Sequence, residues 1–171
     1  MATINKHFNV TSDITQELVA PGNNARVSAI SLANVHKLKN VSVDLYIEKK
    51  LTGTFYFFKK LLLPPNASLI HDLSFDNGAG EFGLYIKLTK DDTFTLTGSI
   101  DPAASVTVPG VGTLFLTETT IGDEIVVSGE TRTVSAIASN TSLTVSSAFS
   151  NNSNDTSPDC NPAALVDVII M

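Results

Sequence analysis

TLFLTETTIGDEIVVSGETRTVSAIASNTSLTV, residues 113–145, decides the fold class of this chain. Its apolar residues come in short runs: Leu114 and Leu116, Ile125 to Val127, Val134 and Ile137, Leu143 and Val145. Turn residues separate them at Gly122-Asp123, Ser128-Gly129-Glu130 and Ser139-Asn140-Thr141. Short apolar runs bounded by such turns predict four short strands in a small β barrel or sandwich. No ionisable pair in the stretch is placed for chemistry.

A larger β unit flanks it in sequence. Val41, Val43, Leu45 and Ile47 alternate with Ser42, Asp44 and Tyr46, and Phe82, Leu84, Ile86 and Leu88 alternate with Gly83, Tyr85 and Lys87. Period-2 alternation puts the aliphatics on one face of a strand. Further strands are expected at 25–34, 54–63 and 66–73, with an edge strand at 15–19 before the Pro21-Gly22 turn. Pro64-Pro65-Asn66 belongs in a corner, because proline has no N–H to give to a ladder. Asp76-Asn77-Gly78-Ala79-Gly80 reads as a turn, and no window shows a sustained helical stripe. The expected class is all-β: an antiparallel β-sandwich with jelly-roll or Greek-key order, carrying a small inserted β-barrel-like unit.

The insertion is inferred from the C-terminus. Ala164-Leu165-Val166-Asp167-Val168-Ile169-Ile170-Met171 is strongly β-prone and apolar except at Asp167. Such a strand left at an open edge would aggregate. It is therefore expected to return to the first sandwich as a buried inner strand beside 41–47 or 82–88, with Val166, Val168 and Ile170 inside. The layout becomes 1–97 plus 164–171 for the sandwich, 98–112 as a linker around a short strand at 104–108, 113–149 as the small unit and 150–163 as a polar loop. Two consecutive domains are the competing layout.

Composition fits a contact protein. The 171 residues hold 43% apolar residues, enough for a core, and only 16% charged ones, against the ~25% of typical soluble domains. Ser, Thr and Asn stand in for charge. Residues 101–171 carry one basic residue, Arg132, against eight acidic ones, which argues against nucleic-acid binding there. The N-terminal MATINKHFNV has no apolar leader core, so synthesis in a cytosol is expected, and no segment reaches the ~20 apolar residues of a membrane span.

Candidate chemistry is sparse. His7, His36 and His71 lie far apart, and His71-Asp72 offers at most two of the ligands a metal needs. Cys160 is the sole cysteine, and no histidine is placed to activate it. Asp91-Asp92 and Asp123-Glu124 are adjacent carboxylates, which point to opposite faces of a strand. Gly78-Ala79-Gly80 and Gly110-Val111-Gly112 open no helix and so form no phosphate cradle. No catalytic residue, metal ligand or cofactor is expected. The suggestive feature is Phe55-Tyr56-Phe57-Phe58, where rings occupy both faces of one strand. One face fills the core; the other is covered by another element of the chain or by a partner.

The order of these pieces resembles small structural proteins of tailed bacteriophages. The residues carrying the likeness are Val19-Ala20-Pro21-Gly22, the strand Arg26–Asn34 ending in Ala-Asn, V-x-V-x-L-x-I at 41–47, the aromatic strand, Leu62-Leu63-Pro64-Pro65, Gly83–Leu88 and Val166–Ile170. They span 15–90 plus 164–171, as a pattern of composition and order without a diagnostic motif; 113–149 resembles β modules inserted in phage virion proteins. The resemblance implies a virion protein made in the host cytoplasm, acting without a cofactor. Expected partners are the major capsid protein or tail or neck proteins, and further copies of itself, with a trimer favoured. Neither nucleic acid nor membrane is an expected partner. Capsid decoration or cementing is the leading expectation. A tail, neck or fibre adaptor is the alternative, and a host-surface or glycan-binding module is another.

Overall fold

The computed structural model describes residues 2–11, 13–49, 52–77 and 81–171. Gly78, Ala79 and Gly80 of the expected turn lie outside them. The chain divides into two compact units, 1–90 with 164–171, and 91–163.

The first unit is a two-sheet sandwich. Its strands are β1 (Ala2–Thr3), β2 (Lys6–Thr11), β3 (Gln16–Val19), β4 (Ala25–Asn34), β5 (Val41–Lys49), β6 (Gly53–Leu63), β7 (Ser68–Asp76), β8 (Gly83–Lys90) and a last strand at Leu165–Ile170, numbered β16 by its place in the chain. One sheet runs β2-β16-β4-β7, with β1 continuing beside β4 where β16 ends. The other runs β3-β8-β5-β6. β1 lies parallel to β4, and the remaining pairs in both sheets are antiparallel. From β2 on, successive strands switch between sheets except at the β5–β6 hairpin, which is the order of an eight-stranded jelly roll.

The alternation read from the sequence produces this core. Val41, Val43 and Leu45 of β5 and Leu84, Ile86 and Leu88 of β8 are buried against Ile30 and Leu32 of β4. β4 changes phase at Ser28, where Ser28 and Ala29 both donate to the Met171 carbonyl, so that Val27 and Ile30 both face inward. Buried amides pin the corners. Asn77 accepts from Ala25 N–H (2.7 Å) and donates to Ala20 O (3.0 Å), strapping both sides of the turn at Pro21-Gly22. Asn34 accepts from His36 N–H and donates to the Leu63 carbonyl (2.9 Å), tying the 35–40 loop to the proline corner.

Val166, Val168 and Ile170 of β16 are buried, and the strand is an inner one. Its neighbours are 6–11 and 25–34, not the expected 41–47 or 82–88. The jelly-roll order requires this, because β5 and β8 already pair with each other in the opposite sheet.

The second unit holds β9 (Phe94–Thr95), β10 (Ser99–Ile100), β11 (Thr107–Val111), the helical turn α1 (Phe115–Glu118), β12 (Glu124–Val127), β13 (Glu130–Ser139), β14 (Ser142–Val145) and β15 (Asp159–Asn161). They form one sheet in the order β10-β11-β14-β13-β12-β15-β9. The path is open, and no closed barrel forms among the described residues. Its ends are two pieces of one segment, since β9 and β10 follow each other directly and Ile100 bridges to Asp155. Ser128 and Gly129, both at positive φ (50° and 81°), make the tight β12–β13 turn.

Four expectations about this region are corrected. The Leu114–Leu116 stretch is a helical turn rather than a strand: Asn140 receives Phe115 N–H on its carbonyl and Leu116 N–H on its side chain, and Phe115 fills the core. Residues 98–112 are no linker, for they contain β10 and β11 and bury Ile100 and Val108. Residues 150–163 supply β15 and the buried Cys160, and 91–97 pack with this unit rather than with the sandwich.

Deleting 164–171 removes three buried side chains worth ~1.5–3 kcal/mol each, against a total stability of ~5–15 kcal/mol, and opens the ladders on both sides. The sandwich loses its cooperative unfolding transition in a thermal melt. A second expectation concerns Glu130, whose carboxyl is held at about 2, below its ordinary 4.5. The Ser150 hydroxyl lowers it most, then Ser150 N–H; desolvation opposes them, and Asn151 N–H and Arg132 add to the lowering. Its contribution is complete above pH ~4.5 and disappears as pH falls towards 2. Glu130→Gln therefore melts lower than wild type at neutral pH, and the gap closes in acid.

Candidate interaction surface

β6 is an edge strand, paired on one side with β5 and open on the other. Its pairing slips twice, between Val43 and Leu45 and between Leu45 and Tyr46. At the first slip Lys60 sits at φ 54° and its N–H donates to Asp44 Oδ1 (2.6 Å). The sequence reading of two alternating faces on Phe55–Phe58 therefore changes, because bulges re-aim side chains. Phe58 is half-buried against the core and meets the His71 ring edge-on at 4.8 Å. Phe55 is 52% exposed, with its ring 6.0 Å from Phe82. Tyr56 and Phe57 are also exposed. Leu62 adds 55% exposure further along the strand, and Ile70 on the β7 edge adds 71%.

The exposed strand is guarded against strand addition. Bulges and lysines on an edge both discourage backbone pairing, and β6 has two register slips plus Lys59 and Lys60. Its side chains, not its free N–H and C=O groups, are what it offers. Lys59 lies over the Tyr56 ring, with Nζ 4.8 Å from the centroid.

A tyrosine row crosses the outer face of the same sheet. Glu17, Tyr85, Tyr46 and Tyr56 are successive cross-strand partners on β3, β8, β5 and β6. Ring centroids are 5.7 Å apart for Tyr85–Tyr46 and 5.4 Å for Tyr46–Tyr56. Burial, then the Glu17 and Glu48 carboxylates, pushes the Tyr85 phenol above its ordinary value. Tyr46 Oη lies 3.2 Å from Thr15 Oγ1. The rings pack on one another, so the row stiffens the sheet from which β6 hangs.

The second unit has its own exposed apolar residues along one segment: Val111 (70%), Leu114, Leu116 and Ile121. The sequence does not single these out: it reads as a short strand at Leu114 and Leu116, and it places Val111 between the glycines of the expected linker. Leu62 was missed inside the Leu61-Leu62-Leu63 run, where alternation alone signals an outward side chain. Charge divides by unit. Residues 91–163 hold nine acidic residues and one basic, a net −8, whereas the sandwich holds ten basic and eight acidic, a net +2.

The other sequence candidates have structural surroundings. Buried Asp123 accepts from Thr120 N–H and Ala163 N–H (both 2.8 Å), and Cys160 Sγ lies 3.8 Å from it. Among the described residues no group of three His, Cys, Asp or Glu is placed to hold a metal. The chain matches no family model, no curated protein and no solved structure.

Gly83 tests the tyrosine row. A β-carbon there would lie 2.6 Å from Tyr85 Oη, so the ring occupies the space the missing side chain leaves. Gly83→Ala displaces Tyr85 and breaks its stack on Tyr46, read as altered near-UV circular dichroism of the tyrosines and a lower melting temperature.

Proposed function

We propose that this chain is a structural component of a phage virion, a capsid decoration or cementing protein that works through oligomeric protein–protein contacts. The supporting observation is the open, bulged edge strand β6, which holds Phe55, Tyr56, Phe57 and Leu62 at the surface of a rigid jelly roll. Exposed rings on a strand that resists backbone addition suit a side-chain contact, and aromatic residues dominate the energetics of such contacts. The jelly roll itself is an architecture that viral shells use, which is support by analogy of fold. A specific interface buries ~1,600 Å² in total, and a rigid sheet presents its share with little ordering cost. The partners are the major capsid protein and further copies of the chain. Cyclic symmetry repeats one contact, and a trimer is the favoured order.

The same surface serves a tail or neck adaptor, and copy number separates the two roles. A glycan-binding module would use the tyrosine row; its rings pack on one another, and Lys59 lies over Tyr56.

Quantitative mass spectrometry of purified phage particles encoding this chain tests the reading. Hundreds of copies per particle select decoration, and a few dozen or fewer select the tail or neck. Absence of the chain from particles refutes a virion role. Phe57→Asp with Leu62→Asp lowers incorporation by ~10-fold or more, a loss on the scale of a contact hot spot.

A further inference from the structure

We infer that the β6 ledge of one copy docks on the acidic second unit of another, a head-to-tail contact between copies of this chain. This rests on the contact-protein reading above and assigns the occupant of its surface. Three observations carry it. First, β6 carries Lys59 and Lys60 and no acidic residue; both lysines are exposed on the same strand as the bulged Phe57 and as Tyr56 and Leu62, whose cross-strand partners Tyr46 and Ser42 place them on the outer face of the sheet. The surface is apolar with a cationic rim. Second, a two-fold pairing of β6 on β6 would gather four ammonium groups in one contact, against only the two Asp44 carboxylates that accept the Lys60 N–H groups. Like charges set against each other oppose a contact and select against it. The bulges at 57 and at 59–60 also remove the regular edge that strand-on-strand pairing needs.

Third, the complementary surface is on the chain itself. The second unit has a net charge of −8, and its one cation, Arg132, is used internally on Glu130 and the Ala148 carbonyl. Within it, Val111, Leu114, Leu116 and Ile121 are exposed along an eleven-residue segment whose only charge is Glu118. An apolar segment in a unit of net charge −8 complements an apolar strand that carries two ammonium groups, and such complementarity favours this partner over a second β6. The contact is heterologous, so it closes into a ring or extends as a filament according to the rotation between copies.

Sedimentation velocity on the full chain tests the assignment. One variant carries Lys59→Glu and Lys60→Glu; the other carries Leu114→Lys and Leu116→Lys. All four side chains are exposed, so melting temperatures should match wild type. Should a double variant melt lower, the single substitutions Lys59→Glu and Leu116→Lys replace it. The wild-type chain sediments as an oligomer that weakens as salt rises. Each variant alone sediments as a monomer. An equimolar mixture of the two gives a dimer, because one copy keeps its ledge and the other keeps its acidic unit. A monomeric wild type, an oligomer in either variant alone, or a mixture that stays monomeric overturns the head-to-tail contact. Particle association is measured separately, so a virion protein that docks through another pairing is recognised as such.

Discussion

The antiparallel pairing of β16 on both β2 and β4 is the constraint on which the rest of the sandwich depends. β16 follows the whole second unit in sequence and fills an inner position, so the sheet it completes has a gap until that unit has been made. Loop-closure entropy makes this contact costly, since β2 and β16 are nearly the whole chain apart. The second unit limits the cost by closing on itself. Phe94 and Cys160 are cross-strand partners, and Thr93 Oγ1 donates to Asn161 Oδ1, so the point where the chain leaves the sandwich and the point where it returns are side by side. An inserted unit with adjacent ends behaves in the host fold as a short loop.

A chain with so few charges secures its corners by other means. Asn34 and Asn77 each satisfy several backbone groups at a strand crossing, and both are buried. In the second unit carboxylates take that role: Asp123 holds the exit at Ala163, Asp155 receives Ser128 and Ser157 N–H, and Glu130 holds Ser150 and Asn151. Much of the acidity of residues 91–163 is therefore structural, each carboxylate accepting backbone N–H groups that the short strands leave unpaired. Asp123 is buried, so the surface charge of that unit comes from its other carboxylates.

Strand alternation made the sandwich legible. Val41–Ile47 and Phe82–Leu88 each put one aliphatic row inward, and the apolar C-terminus required an inner position. Its neighbours were not legible, because period-2 patterns state which face is buried and say nothing about which strand lies alongside. The apparent linker at 98–112 misled for a physical reason: Pro102, Pro109 and the glycines interrupt a pattern that Ile100 and Val108 still complete from either side. Phe115 misled in the opposite direction. The apolar run Leu114-Phe115-Leu116 looks like a short strand, and the hydrogen bonds that hold its first N–H groups in a helical turn come from Asn140, far along the chain. The exposed ledge was half legible. Four successive rings announce that one face lacks a core, yet the bulges that decide which ring points where arise from pairing with β5.

Those bulges also resolve an apparent contradiction in β6. An open edge with exposed rings looks like a hazard, and natural sheets blunt such edges with lysines and irregular pairing. β6 has both safeguards and keeps its rings. Were avoidance of association the sole pressure on the strand, polar residues at 55–57 and 62 would serve it better at little cost, since exposed positions tolerate exchange. Disabling the backbone of such an edge removes the unselective mode of association, in which any extended strand will pair, and leaves the side chains exposed. The tyrosine row behind the strand fits the same logic, because a contact made by side chains gains most from a sheet that holds them still.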